Sequence, residues 1–239
     1  MLQIIPVIDI REGKVVHAQG GVRHAYPPLS SVLTHSRDVL TVVSDLLDWY
    51  PFPRLYIADL DAIETGEMRT TLYQKLVSQF PQLTLWLDSG IQHAGQLDVF
   101  SELTTISPVL GSETLDDLSL LNDRDWTQRV VLSLDRRQQQ FMGKPELISN
   151  TELWPQNVIM MSLDHVGSNQ GPALDWFLDL KSAKTEVNWF FAGGIRNEHD
   201  LEQVEQNGSA GVLVASALHT GKISRQVISR FMEQKHRPS

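Results

Sequence analysis

The sequence predicts an α/β fold: one closed barrel of eight parallel strands alternating with helices, built from two duplicated half-barrels. Three observations carry this expectation. Apolar, β-branched runs alternate with helix-spaced runs along all 239 residues, which is the pattern of a parallel sheet covered by crossover helices. No Pro/Gly/Ser-rich or low-complexity tract divides the chain, so a single domain is expected over residues 1–239. The two halves, approximately 1–125 and 126–239, also repeat each other: Gly90 and Gly194 stand 104 residues apart, as do Ser112 and Ser216. Both halves open alike, since Pro6-Val7-Ile8-Asp9 and Leu132-Ser133-Leu134-Asp135 each put an acid at the end of an apolar strand. Duplication of half a fold favours a closed barrel over an open sheet.

Residues 2–10 read as a buried parallel strand with Asp9 at its C-terminal end, followed by a hairpin arm over 13–21 and a long loop to Ser36. Val39, Val42, Val43, Leu46 and Leu47 give the first helix over 37–50, which stops before Pro51. The second strand (54–60) ends on acids Asp59 and Asp61, and is followed by a helix at 68–80. Strands at 83–87 and 105–110 are followed by short helices at 94–103 and 115–121. The fifth strand (129–134) leads into Asp135-Arg136-Arg137 and a second polar arm over 138–144; one of the two arginines is expected to lower the pKa of Asp135. A strand at 157–162, a loop at 164–171, a helix at 174–184, a strand at 187–191, a helix at 198–206, a strand at 211–214 and a helix at 223–234 complete the alternation.

The stretch most able to carry function is Phe191-Ala192-Gly193-Gly194-Ile195, with Val214-Ala215-Ser216-Ala217 about twenty residues on. A strand that stops at glycines or small residues and opens into a helix leaves backbone N–H groups free and no Cβ in the way of an anion. Two such turns in the last two strand–helix units are how barrels of this class hold a phosphate, so Gly193, Gly194, Ala215 and Ser216 are expected to bind one. By the internal repeat, Gly90, Gly111 and Ser112 occupy the matching places in the first half. Asp88 is a misfit there, because an anion repels a phosphate unless it is protonated or paired. Arg23 and Tyr26, in the long first loop, could close over a substrate.

Composition removes other classes. A net charge of −9 without clustered Lys or Arg argues against a nucleic-acid partner. With no cysteine, disulfides, thiol chemistry and Cys-ligated zinc are excluded. The eight histidines are scattered without metal-pair spacing, so no metal is expected, and His165 is the only one considered for catalysis. The N-terminus lacks a basic leader and no apolar run reaches membrane-spanning length, which predicts a cytoplasmic protein without a membrane partner. A monomer and a small homo-oligomer are both compatible with the sequence.

Ile5-Pro6-Val7-Ile8-Asp9 with Gly13-Lys14-Val15-Val16, Asp59, Gly111-Ser112, Asp135, Gly193-Gly194-Ile195 and Gly211-Val212-Leu213-Val214 together resemble the HisA/HisF family of histidine-biosynthesis barrels over nearly the whole chain. The resemblance implies a TIM barrel of the ribulose-phosphate-binding type, a phosphorylated small-molecule substrate and no cofactor. It implies an Amadori aldose–ketose isomerisation with Asp9 as general base and Asp135 as general acid, and places Asp59 and Ser168 at the substrate. Arg23-x-x-Tyr26-x-Pro28, Leu87-Asp88-Ser89-Gly90, Val166-Gly167-Ser168 with Gly171-Pro172, and Ala215-Ser216-Ala217-Leu218-His219 are more similar to HisA-like paralogues associated with tetrahydromethanopterin and methanofuran genes in methylotrophs and methanogens. An enzyme of that one-carbon cofactor context ranks first, a true phosphoribosylformimino-aminoimidazole carboxamide ribotide isomerase second, and a non-catalytic barrel that binds a phospho-ligand third.

Overall fold

A computed structural model describes residues 1–168, 170–184 and 186–233. Asn169 in the sixth barrel loop, Gln234 at the expected end of the last helix, and His236 lie outside the described residues.

In chain order the elements are β1 (Gln3–Arg11), β2 (Lys14–Val16), α1 (Val39–Trp49), β3 (Arg54–Asp59), α2 (Leu60–Thr65), α3 (Thr70–Gln79), β4 (Thr84–Asp88), β5 (Ile106–Gly111), β6 (Val131–Arg137), β7 (Gln140–Met142), α4 (Glu146–Ser149), β8 (Asn157–Ser162), α5 (Leu174–Ala183), β9 (Asn188–Ala192), α6 (Glu198–Gln206), β10 (Gly211–Val214), α7 (Ser216–His219) and α8 (Arg225–Met232). Among the described residues, eight of ten strands run parallel in the order β1-β3-β4-β5-β6-β8-β9-β10, and β10 returns to β1 with Gln3 opposite Gly211 and Pro6 opposite Val214, closing a (β/α)8 barrel. The other two are the expected arms: β2 folds back antiparallel on β1, and β7 on β6.

Closure explains why the strands read as continuous apolar runs rather than as alternating ones, since both faces are covered. Inside the barrel the eight strands contribute Ile5, Tyr56, Trp86, Val109, Val131, Ile159, Phe190 and Leu213 to one packed cluster. Trp86 and Phe190 meet edge to face there, with ring centroids 4.6 Å apart. The outward residues, such as Ile4, Ile57, Leu85 and Leu132, pack on apolar helix faces that include Val42 and Leu46 of α1, Phe177 of α5 and Leu201 of α6. At the floor Arg54 lies 4.7 Å over the Trp86 ring and donates to Gln3 Oε1 at 2.5 Å.

Two expected helices are not α-helical. Residues Ala94–Phe100 and Leu118–Asn122 form 3-10 turns. In the first, only Leu97 and Phe100 are buried, three apart as a 3-10 turn aligns them, and no second apolar row exists to support an α-helix. Conversely, α2 was not expected. Asp59 caps it by accepting from Ala62 N at 3.2 Å, and Gly66, at φ 78°, ends it in the left-handed region. No described helix is long and apolar enough to cross a membrane.

Candidate active site

The C-terminal ends of the strands open into one cleft. Asp9 lies near the end of β1, pinned between Ala58 of β3 and Val16 of the β2 arm. It is 9% exposed, lines the cleft, and its carboxylate makes no hydrogen bond to any described residue. Burial pushes its pKa up to about 7; the Arg23 cation pulls against that and Asp88 adds to it. Asp135 of β6 is 7% exposed and better held. Ser133 Oγ donates to Oδ1 at 2.7 Å, and the Asp135 amide donates to Ser112 Oγ at 2.9 Å. Its pKa is also pushed up to about 7, by burial first, against the Ser133 bond and with help from the charges of Asp88 and Glu113.

Between them stands Asp88, at the end of β4. Tyr56 Oη donates to its Oδ2 at 3.2 Å and Gly90 N to its Oδ1 at 3.1 Å. Burial raises this carboxyl as well. Gly111 makes the space the two acids share: a Cβ there would lie 3.5 Å from Asp135 Oδ2 and 3.7 Å from Asp88 Oδ2. The first loop crosses above. Arg23 donates to both carboxylate oxygens of Glu113, at 3.2 and 2.6 Å, and Gly20 N donates to Val166 O at 2.8 Å. Arg23 and Tyr26 line the cleft, and burial pushes the Tyr26 phenol up to about 12.

On the far side are the two turns after β9 and β10. Gly193 and Gly194 adopt φ of 99° and 87°, and a Cβ on either would collide with the carbonyl of Ser162 or Gly171. These positions therefore require glycine. Ala215 and Ser216 line the same wall, with Lys222 at its rim. Ser216 Oγ lies 3.1 Å from His17 Nε2, and burial lowers the His17 pKa. His219 behind it is buried, is pushed down to about 4, mainly by burial, and has Nδ1 2.8 Å from Ser31 Oγ.

The sequence expectations thus separate. Asp9, Asp135, Gly193, Gly194, Ala215, Ser216, Gly111, Arg23 and Tyr26 come together around the cleft. Gly90 does not line it: its φ of 68° serves the turn, and a Cβ would sit 2.7 Å from Ile63 Cα. Ser112 is buried and committed, donating to Met142 O at 2.6 Å, so it braces Asp135 and the β7 arm rather than a phosphate. Asp59 is wholly buried as the α2 cap and accepts from Tyr73 Oη at 2.6 Å, which removes it from the substrate. Ser168 Oγ donates back to His165 O at 3.1 Å, away from the cleft lining. Nor does either arginine lower Asp135: Arg136 lies over the Trp176 ring at 5.2 Å, and Arg137 donates to the Gly21 carbonyl, tying the two arms. His165 reaches the cleft with Nδ1 2.5 Å from Gly171 O. Glu113, His17 and Lys222 were missed; only the Gly-Ser-Glu order after β5 hinted at the first.

The Ser112 assignment is testable. Ser112→Ala is expected to lower stability by about 1–3 kcal/mol, through loss of its bonds to Met142 O and Asp135 N, and to leave the affinity for inorganic phosphate unchanged. Calorimetric melting and phosphate titration read both; weakened phosphate binding would return Ser112 to the ligand.

Comparison with known proteins agrees with the architecture. A family model described as histidine biosynthesis protein matches residues 3–224. An uncharacterized protein of Methanocaldococcus jannaschii is 27% identical, over 96% of this chain and 99% of its own length. A Cytophaga hutchinsonii protein is 26% identical, over 97% of this chain and 99% of its own, and is named a 1-(5-phosphoribosyl)-5-((5-phosphoribosylamino)methylideneamino)imidazole-4-carboxamide isomerase. A Methanosarcina acetivorans protein with the same name is 26% identical over 93% of this chain and 94% of its own. The acids at the ends of β1 and β6, the glycine turn after β9 and the match across almost the whole barrel make this chain a member of the histidine biosynthesis protein family.

Proposed function

We propose that the chain is an enzyme of phosphorylated small molecules in which Asp9 and Asp135 act as general base and general acid in an aldose-to-ketose rearrangement. The observation that carries this is the pair itself: two buried carboxyls, each with a pKa pushed up to about 7, lining the cleft that also holds the Gly193-Gly194 and Ala215-Ser216 turns. A carboxyl poised near neutrality can both give and take a proton. Burial brings both to the same value, about 7, and their roles as base and acid follow the family resemblance. Beyond burial, the Arg23 cation favours the carboxylate form of Asp9 and the Asp88 charge opposes it. Beyond burial and the Ser133 bond, the charges of Asp88 and Glu113 favour the protonated form of Asp135, as an acid requires. Asp135 then protonates the ring oxygen as the sugar opens, Asp9 takes the proton from C2 so that its electron pair forms the C1–C2 enol, and the ketose follows when C1 is reprotonated and the C2 hydroxyl gives up its proton. The phosphate lies on Gly193, Gly194, Ala215 and Ser216, where main-chain donors meet it and Lys222 adds charge.

The altered first-half turn, with Asp88 between the two acids, favours a substrate other than the imidazole ribotide. The motifs shared with the tetrahydromethanopterin- and methanofuran-associated paralogues support a one-carbon cofactor context. The names of the Cytophaga and Methanosarcina relatives favour a second reading, the histidine-pathway isomerase. Two assays separate them. In D2O, wild type is expected to place deuterium beside the carbonyl of a phosphorylated aldose or aminoaldose, and Asp9→Asn is not; no exchange with any of them contradicts the acid–base scheme. Expression in cells lacking the histidine-pathway isomerase is expected to leave them auxotrophic; growth that depends on Asp9 establishes the second reading.

A further inference from the structure

The Asp88 end of the cleft carries a chemistry that the acid–base pair leaves unused. Three strand-end carboxyls, Asp9, Asp88 and Asp135, meet there with Glu113 beside them, and the missing side chain of Gly111 leaves the Asp88 and Asp135 oxygens open to one shared space. The cation in the loop above, Arg23, makes its hydrogen bonds to Glu113 and reaches Asp9 and Asp88 through its charge alone, donating to neither. Asp88 has one donor on each oxygen, from Tyr56 and Gly90, and each oxygen has a second lone pair to offer. Asp9 is the sharper sign: nine-tenths buried, facing the cleft, and with no hydrogen-bond donor among the described residues. Its small exposed fraction opens to the cleft, where a ligand can supply the donor that the protein does not.

The opposite wall has the reverse character, with two small-residue turns, the Ser216 hydroxyl and Lys222. The cleft is therefore polar along its length, with an anion-accepting end and an acidic end. A second phosphate beside Asp88 would meet like charge in a partly desolvated site. An ammonium group, compact and with three donors, matches acceptors converging from three strands.

We propose that the acidic end binds an amino group, so that the substrate is an amine-bearing phosphomonoester rather than a bisphosphate. The proposal rests on the reading of the Gly193-Gly194 and Ala215-Ser216 turns as the phosphate site. Asp88 is the specificity-determining residue, and Asp9 and Asp135 contribute acceptors.

Isothermal titration of the whole chain with inorganic phosphate, and with aminoalkyl phosphates, alkyl phosphates and α,ω-bisphosphates in matched series of increasing chain length, tests this. At the best length the amine is expected to improve on the plain alkyl phosphate by about tenfold, one charge-assisted hydrogen bond's worth, and the second phosphate to give no gain. Asp88→Asn is expected to remove the tenfold ratio while the alkyl phosphate still binds. If the Asn variant and Asp88→Ser both fail to fold, the wild-type ratio is followed as pH falls, and must shrink as the carboxylates take up protons. Alkyl phosphates that bind without any advantage from the amine, or bisphosphates that bind tightest, overturn the proposal and leave the phosphate site standing. Failure of inorganic phosphate and every alkyl phosphate to bind overturns the phosphate site and the proposal with it.

Discussion

Replacing Asp9 or Asp135 by Asn is expected to cut turnover by about a hundred- to ten-thousand-fold, the usual worth of a positioned acid or base, and to make the protein more stable at pH 8. The second effect follows from the first group's environment. Both carboxyls have their pKa raised from 3.8 to about 7 in the folded chain, chiefly by burial. Between about pH 4 and pH 7 the unfolded chain has lost these protons and the folded chain has kept them, so stability falls as pH rises through that window and levels off above it. Each Asn removes one such group, worth on the order of 2–4 kcal/mol at pH 8, or about 5–10 °C in Tm for a chain of this size. Below about pH 4 the variants and wild type should melt together. Stability given up in wild type for a pair of neutral-range acids is the expected cost of a working site. Melting curves of the three proteins at pH 4 and pH 8 check this, and variants less stable than wild type at pH 8 would mean the carboxyls are structural.

Gly194→Ala is expected to have the largest effect on the phosphate end. The residue sits at φ 87°, and its new methyl would drive into the Gly171 carbonyl at a point where backbone meets backbone. Neither side can yield without moving the β8 and β9 loops together, so a loss of about 2–4 kcal/mol is expected, with phosphate affinity falling at least tenfold. Gly66→Ala is the matched control. It has a similar φ of 78° at the end of α2 but open space around the missing Cβ. Only the smaller conformational cost, about 1 kcal/mol, should appear there, with phosphate binding intact.

The barrel was legible because its signals are local. Most barrel strands are short apolar runs ended by an acid or a glycine, while β8 and β10 end at Ser162 and Val214, and a closed parallel sheet needs both faces of every strand apolar, so the strands can be located from the apolar runs. The Gly193-Gly194 turn and the pair Asp9 and Asp135 were legible for the same reason, since a strand end is a place along the chain. Side-chain direction is not. Ser112 and Asp59 also end strands, yet one turns down to the Met142 carbonyl and the other to the first turn of α2, where both are consumed by backbone partners. Glu113 joins the site only because Arg23, 90 residues earlier, arrives over it from another loop. Asp88 was visible as a charge in the wrong place for a phosphate; that the same charge could complete a cluster of acids required the geometry of Gly111. The short crossovers after β4 and β5 were misread as helices because a single apolar row three residues apart is compatible with either helix until its length is known.

The most direct test needs no substrate. Carboxyl carbon resonances of the aspartates are followed by NMR from pH 3 to pH 9, with Asp9→Asn and Asp135→Asn supplying the assignments. Two carboxyls with apparent midpoints near 7, each lost in its own variant and both lowered when Asp88 is replaced by Asn, are the result expected of this pair of acids. Aspartates that all titrate below about pH 5 would mean that both carboxyls are permanently ionised at neutral pH, and would remove the general acid from the cleft.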